Sequence, residues 1–302
     1  MRVLRASDID IYDLAIVGLG YESRSITTYS EYKEKIENVI AIGYKEHNDA
    51  FSYEDNLKLY KDSGSTVIEE NDLSLFSILE EELKNQWASK PINCLIDITV
   101  MSRSRLATIL MLLMENLYKG SCIRVCYELA EFTPPPTEIS PIRKIGPIIE
   151  SLSGSLGDIE LPSSVVLGLG YEEGKAIGIS NFLDAEKQFL LIPESMDERF
   201  KVAVEENNKA LISSTSAGYS FTYDVTDPYK SYLELRELLI AITEISRPIV
   251  VPLGPKILSA LFVVLSKEMN YELPVWRVSS QHHEDPVDRK SSGNRFELNL
   301  VL

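Results

Sequence analysis

The residues best suited to chemistry stand at the ends of short apolar runs. Asp97-Ile98-Thr99-Val100-Met101-Ser102-Arg103 sets a carboxylate, two hydroxyls and a guanidinium between an apolar run and an apolar helical pattern. A helix N-terminus at that point favours anions, so Asp97, Thr99, Ser102 and Arg103 form a candidate ligand set. The same residues also read as architecture, with Ser102 capping the helix and Asp97 bonding a neighbouring loop. A second candidate is Gly18-Leu19-Gly20-Tyr21-Glu22-Ser23-Arg24-Ser25. Gly18 and Gly20 would let backbone N–H groups approach an anion, Arg24 supplies charge, and Ser25 would cap a tight strand-to-helix turn. Ser23 stands where a dinucleotide fingerprint has its third glycine, and the acidic partner of that fingerprint is missing. A dinucleotide is therefore disfavoured and no cofactor is assigned. Glu22 and Asp97 are the two candidates for acid/base or nucleophilic work, provided their carboxylates converge.

The second half carries a parallel set. Gly168-Leu169-Gly170-Tyr171-Glu172 repeats the first pentapeptide 150 positions on, nominating Gly168, Gly170 and Glu172. Val251-Pro252-Leu253-Gly254-Pro255-Lys256 ends an apolar run and enters a helix; Gly254 permits close backbone approach and Lys256 offers a mobile cation. It lacks the spacing of a P-loop, and Pro255 is also an ordinary way to begin a helix. Asp224-Val225-Thr226-Asp227-Pro228 would hold a ribose hydroxyl or a metal, or simply initiate a helix. The polar stretch 279–295, with His282, His283, Glu284, Asp285, Asp288, Arg289 and Lys290, reads as a loop over the second site. Adjacent histidines on a regular strand point apart, which argues against a joint metal site. Cys94, Cys122 and Cys126 read as reduced core thiols, and no metal is assigned.

The elements that must position these residues alternate in type. Asp13–Gly18, Val39–Tyr44, Thr66–Glu69, Asn93–Thr99 and Ile123–Leu129 read as strands. Between them lie helices: one through Tyr32 to Glu37, then Tyr53–Ser63, Leu73–Trp87 and Arg103–Tyr118. That alternation predicts right-handed crossovers and mainly parallel sheets. Six prolines break the rhythm between Phe132 and Ser164, which reads as a structured linker with a short helix around Ile145–Leu152. The pattern restarts at Val165–Gly170. Pro248–Leu253, a helix over Lys256–Met269 and Pro274–Ser279 follow as in the first half. The expected class is α/β, with two tandem Rossmann-like domains at 1–133 and 163–302, a linker at 134–162, and internal duplication.

Composition narrows the function. A formal charge of −16 over 302 residues argues against coating extended nucleic acid, whose affinity comes from neutralising phosphates. The longest apolar stretches, 106–114 and 257–265, fall short of the about 20 residues that span a bilayer, and the N-terminus does not read as a signal peptide. A soluble, cytoplasmic protein without membrane contact is expected. Acidic groups such as Glu80, Glu81 and Glu82 read as solvated surface.

The first half resembles the CRISPR-associated Rossmann-fold (CARF) sensors and the related SAVED sensors of phage defence. The resemblance rests on strand order, the early glycine turn and Asp97-Ile98-Thr99 through Arg103, with Val100-Met101-Ser102-Arg103 where that family carries Gly-Gly-Thr-Lys. It implies binding of a cyclic or linear oligonucleotide messenger at the junction of two units, with an effector protein or oligomeric state as output. Three functions follow for testing. The first is a non-catalytic sensor of a small phosphorylated or nucleotide-type ligand at the strand C-terminal ends. The second is an enzyme on nucleotides or nucleosides using Glu22 or Asp97. The third is a structural subunit of a larger complex.

Overall fold

The computed structural model describes residues 1–46, 48–135, 142, 144–155, 157–279 and 286–302, the side chain of Leu73 excepted. Contacts divide the chain into two compact units, Met1–Glu131 with Glu284–Leu302, and Phe132–His283. The first segment runs β1 (Arg2–Arg5), β2 (Leu14–Gly18), α1 (Thr27–Tyr32), β3 (Val39–Gly43), α2 (Tyr53–Asp62), β4 (Thr66–Glu69), α3 (Asp72–Glu82), β5 (Asn93–Asp97), α4 (Arg103–Asn116) and β6 (Cys122–Ala130). The second unit adds β7 (Lys144–Pro147), β8 (Ser163–Gly168), α5 (Lys175–Leu183), β9 (Lys187–Glu194), α6 (Glu198–Asn207), α7 (Lys209–Ser214), β10 (Ser220–Asp224), α8 (Pro228–Ile245), β11 (Arg247–Pro252), α9 (Lys256–Glu268) and β12 (Trp276–Ser279). The chain closes with β13 (Ser291–Val301).

In the first unit seven strands lie in the order β1-β13-β6-β5-β2-β3-β4. Strands β2 to β6 are mutually parallel. Counted from β2, their order is the doubly wound 3-2-1-4-5, with the crossover reversing between β2 and β5. The sequence explains why these strands lie inside: Leu14–Gly18 is buried at every position, as a strand covered on both faces must be. Ala15 and Val17 pack with Tyr12, Tyr29 and Tyr60, while α4 buries Leu106, Ile109, Leu110 and Leu113.

The second unit repeats the order on a smaller scale. Its sheet is β10-β9-β8-β11, all parallel, which counted from β8 is 3-2-1-4. Val275, just before β12, meets Val250 of β11 through one parallel bridge, and β12 then pairs antiparallel with β7. Val165, Leu167 and Leu190 form the core with Ile179 and Val204.

Three expectations change. The division at residue 163 is not the one the contacts draw, because β13 joins the first unit's sheet between β1 and β6. There Phe296, Leu298 and Leu300 are buried, and β6 is no longer an open edge. Within 134–162, the expected helix near Ile145 is strand β7 followed by a 3₁₀ turn at Glu150–Leu152. Gly146 and Pro147 oppose a helix there. The helix expected up to Glu37 is the short α1 with 3₁₀ turns on either side, and Ile36 bridges to Tyr12.

Both glycine turns are fixed by the loop after the fourth strand. A Cβ on Gly18 would stand 2.6 Å from Val100 Cγ2, and one on Gly170 would stand 2.7 Å from the Leu253 carbonyl oxygen. Gly18→Ala is expected to cost about 1–3 kcal/mol in chemical denaturation, with Val100→Ala restoring part of the loss in the double variant. Gly170→Ala meets backbone instead, so trimming Leu253 to alanine should give no such rescue.

Candidate functional site

In the first unit the chain leaves β2 through the glycine turn into a 3₁₀ turn over Ser23–Ile26. Arg24 is buried there. Its Nε donates to Glu22 Oε2 at 2.6 Å and its Nη1 to the Glu128 carbonyl at 2.7 Å. Asn56, from α2, donates through Nδ2 to the Gly20 carbonyl and to Ser25 Oγ, each at 2.9 Å. Ser25 therefore braces the turn rather than capping it, and among the described residues no side chain caps this 3₁₀ turn. The Ser23 N–H already has an acceptor, since it donates to Asp288 Oδ1 at 2.8 Å. Asp288 was legible only as part of a polar tail. His282, His283, Glu284 and Asp285, read with it, lie outside the described residues.

At the end of β5, Asp97 is 1% exposed. Its Oδ1 accepts from the Thr99 N–H at 2.9 Å and, through a short bond, from the Thr99 hydroxyl. Among the described residues Oδ2 has no hydrogen-bond partner. Burial pushes the carboxyl above its usual range; Thr99 and Thr28 work against this, and Glu128 adds to it. Glu128 joins the two motifs through its backbone, its N–H donating to Thr99 Oγ1 at 2.9 Å while its carbonyl takes Arg24. The Ser291 hydroxyl bonds Glu128 Oε1. Asp97, Thr99, Glu22 and Arg24 are thus brought into one network. The two candidate carboxylates are not brought together as a free pair, because Glu22 is held by Arg24 and Asp97 by Thr99.

Ser102 caps α4, accepting from the Arg105 N–H at 3.1 Å, while its own N–H donates to Tyr44 Oη at 2.8 Å. Arg103 opens the helix, half-buried. The buried guanidinium is Arg105, which sequence reading passed over. It donates to Asp72 Oδ1, to the Gly43 carbonyl at 2.8 Å and to the Glu70 carbonyl at 3.1 Å, and lies 3.6 Å over the Tyr44 ring. Its helical position beside the cap was visible in the sequence, but its partners on β3 and the loop after β4 were not.

In the second unit, the Leu253 and Gly254 N–H groups donate to the Gly168 carbonyl at 2.8 and 3.1 Å. The Gly170 carbonyl accepts from Asn208 Nδ2 at 2.8 Å. Glu172 forms an ion pair with Lys175 one turn on. Lys256 begins α9, half-buried. Apart from these residues, a cavity of about 470 Å³ opens beside β10 and α8, where Phe221 lies among Glu194, Asp224, Lys230, Glu234 and Glu237. Asp224 Oδ1 accepts from the Thr226 N–H at 2.8 Å and the Thr226 hydroxyl at 2.6 Å. Asp227 caps α8 through the Lys230 N–H.

All three cysteines are free, and burial raises each thiol. Among the described residues no group of three or more His, Cys, Asp or Glu side chains is placed to hold a metal, and no helix is long and apolar enough to cross a membrane.

No family model matches the chain, and no curated protein matches it. Among solved structures it is similar to the cytoplasmic domain of a prokaryotic cation chloride cotransporter, at 10% identity and a TM-score of 0.26, over 90% of this chain and 97% of that one. It is also similar to phosphoethanolamine N-methyltransferase 1 of Haemonchus contortus, solved with phosphoethanolamine and S-adenosylhomocysteine. That likeness has 9% identity and a TM-score of 0.26, over 100% of this chain and 89% of that one. Likenesses this loose assign nothing, and the α/β class with mainly parallel sheets rests on the strand pairing itself.

The raised Asp97 carboxyl has a measurable sign. The folded chain keeps that proton at pH values where the unfolded chain, with an ordinary value near about 3.9, has lost it. This residue's contribution to stability therefore falls as pH rises through that interval. Asp97→Asn keeps an oxygen for Thr99 and cannot ionise. Its stability relative to the parent should rise from pH 4 to pH 8 in thermal melts, and parallel curves would refute the assignment.

Proposed function

We propose that this chain is a non-catalytic binding protein for a small phosphorylated or nucleotide-type ligand, held at the carboxyl ends of the first unit's parallel strands. The observation that carries the reading is the Ser23 N–H bonded to the Asp288 carboxylate: the glycine turn presents a donor that an acid oxygen already satisfies. A phosphoryl oxygen offers the same acceptor chemistry with more charge. Ligand entry would displace Asp288 and release the segment before β13, which supplies a change that an effector protein or a second copy of the chain can read. The CARF and SAVED resemblance implies an oligonucleotide as the more specific ligand, supported here by the Asp97–Thr99 turn alone.

The enzyme reading has one observation in its favour, the raised, buried Asp97 carboxyl with the Glu128 carboxyl near it. Both are almost fully buried, and Glu22, 13% exposed, is paired with Arg24. Turnover of a nucleotide by the parent that disappears in Asp97→Asn would favour it.

We also infer that the two units descend from one ancestral unit. The shared strand order supports this, as does a matching bond, Asn56 to the Gly20 carbonyl and Asn208 to the Gly170 carbonyl.

Calorimetric titration with AMP checks the binding reading. Asp288→Ala should tighten AMP several-fold by removing an internal competitor, and Arg103→Ala should weaken it by about tenfold, as loss of a charge-assisted hydrogen bond does. AMP binding that ignores Asp288→Ala would show that the carboxylate does not occupy the ligand's place.

A further inference from the structure

We propose that Phe51, backed by Tyr21, is a stacking platform for a planar aromatic ring of the nucleobase class, at the carboxyl ends of β2 and β3. The proposal rests on the binding reading above and names the aromatic part of the ligand. Phe51 is 61% exposed, so its ring gains little from burial. Its backbone is also costly, at φ +42°, in the left-handed region that a bulky L-residue seldom enters. A turn needing only that conformation is served by glycine. Strain of this kind persists where the surroundings enforce it, and they do here. The Ser52 N–H donates to the Tyr21 carbonyl at 3.1 Å and the Tyr53 N–H to the Ala50 carbonyl at 3.0 Å, while Asn56 ties the start of α2 to Gly20. Phe51 is thus riveted to the glycine turn with its ring outward.

The neighbouring ring gives the platform its direction. The Phe51 and Tyr21 centroids are 6.1 Å apart with planes inclined at 42°, so the two rings touch and leave no slot between them. A base would stack on the outward face of Phe51, with Tyr21 holding the ring from behind. Tyr21 and Ser23 belong to one turn, which sets the stacking surface near the N–H that Asp288 occupies. Stacking on an aromatic ring tolerates any base, so the platform alone sets the class of ring and not its identity.

Phe51→Gly separates a ligand role from a folding role. Relief of the left-handed strain should raise the melting temperature of the variant, whereas loss of the ring should weaken adenosine and AMP by about tenfold and leave ribose 5-phosphate unchanged. In the parent, AMP should bind about tenfold more tightly than ribose 5-phosphate. Equal binding of those two, failure of the parent to bind adenosine, or unchanged adenosine binding in Phe51→Gly would each overturn the platform. Adenosine binding that is lost in Phe51→Gly but not improved by the phosphate of AMP would uphold the platform while removing the phosphoryl part of the binding reading.

Discussion

The contact on which each unit depends is the close approach of two loops at the point where the strand order reverses. In the first unit the loop after β5 lays Val100 on the backbone of Gly18 and Gly20; in the second, Leu253 and Gly254 lie on Gly170 and donate to the Gly168 carbonyl. Doubly wound sheets commonly receive ligands in this crevice. Here the chain's own loop fills it, so the glycines serve protein packing before they serve any ligand. What remains open in the first unit is the flank toward β3, where Tyr21, Ser23 and Phe51 stand.

A second constraint is the burial of charge along that same strand edge. Arg24 and Arg105 are both about 2% exposed or less, and such groups are tolerated only when hydrogen-bonded on several sides. Each takes one carboxylate and strand-end carbonyls: Glu22 and Glu128 for Arg24, Asp72, Gly43 and Glu70 for Arg105. The guanidinium fork suits this task because it donates in several directions within one plane. These cations fix where the loops leave β3, β4 and β6, which in turn fixes the flank left open to solvent.

Much of this was legible in the chain before folding. Apolar runs of β-branched and small residues announced β2, β3, β5, β6, β8 and β11, because a strand covered on both faces has to be apolar throughout. The paired pentapeptides announced two similar units. What escaped was decided by contacts distant in sequence. The polar stretch 279–295 hides the start of strand β13, whose alternate residues Phe296, Leu298 and Leu300 lie just beyond it and do not read as a strand until they meet β6. Asp288 gains significance only from Ser23, 265 positions away. Arg103 attracted notice by standing at a helix start, whereas Arg105, two positions on, points toward β3; helical phase near a cap does not say which guanidinium turns inward. Phe51 gave no signal at all, because an exposed aromatic in a loop is unremarkable until its φ is known.

The likeness between the units also separates motifs that report matched topology from those that do not. Asp97-Ile98-Thr99 and Asp224-Val225-Thr226 adopt the same local bond pattern, the Thr N–H and hydroxyl both donating to one carboxylate oxygen. Yet β5 is the fourth parallel strand counted from β2, and β10 the third counted from β8. Equivalent positions therefore do not explain the match. An aspartate two residues before a threonine satisfies that turn by local geometry wherever a strand ends. The Asn56 and Asn208 bonds differ in kind, because each spans more than 30 residues and reaches the same carbonyl of the same turn. A local motif can arise anywhere, but a long-range bond to a matched carbonyl requires matched topology, and such bonds are the better guide to what the two units share.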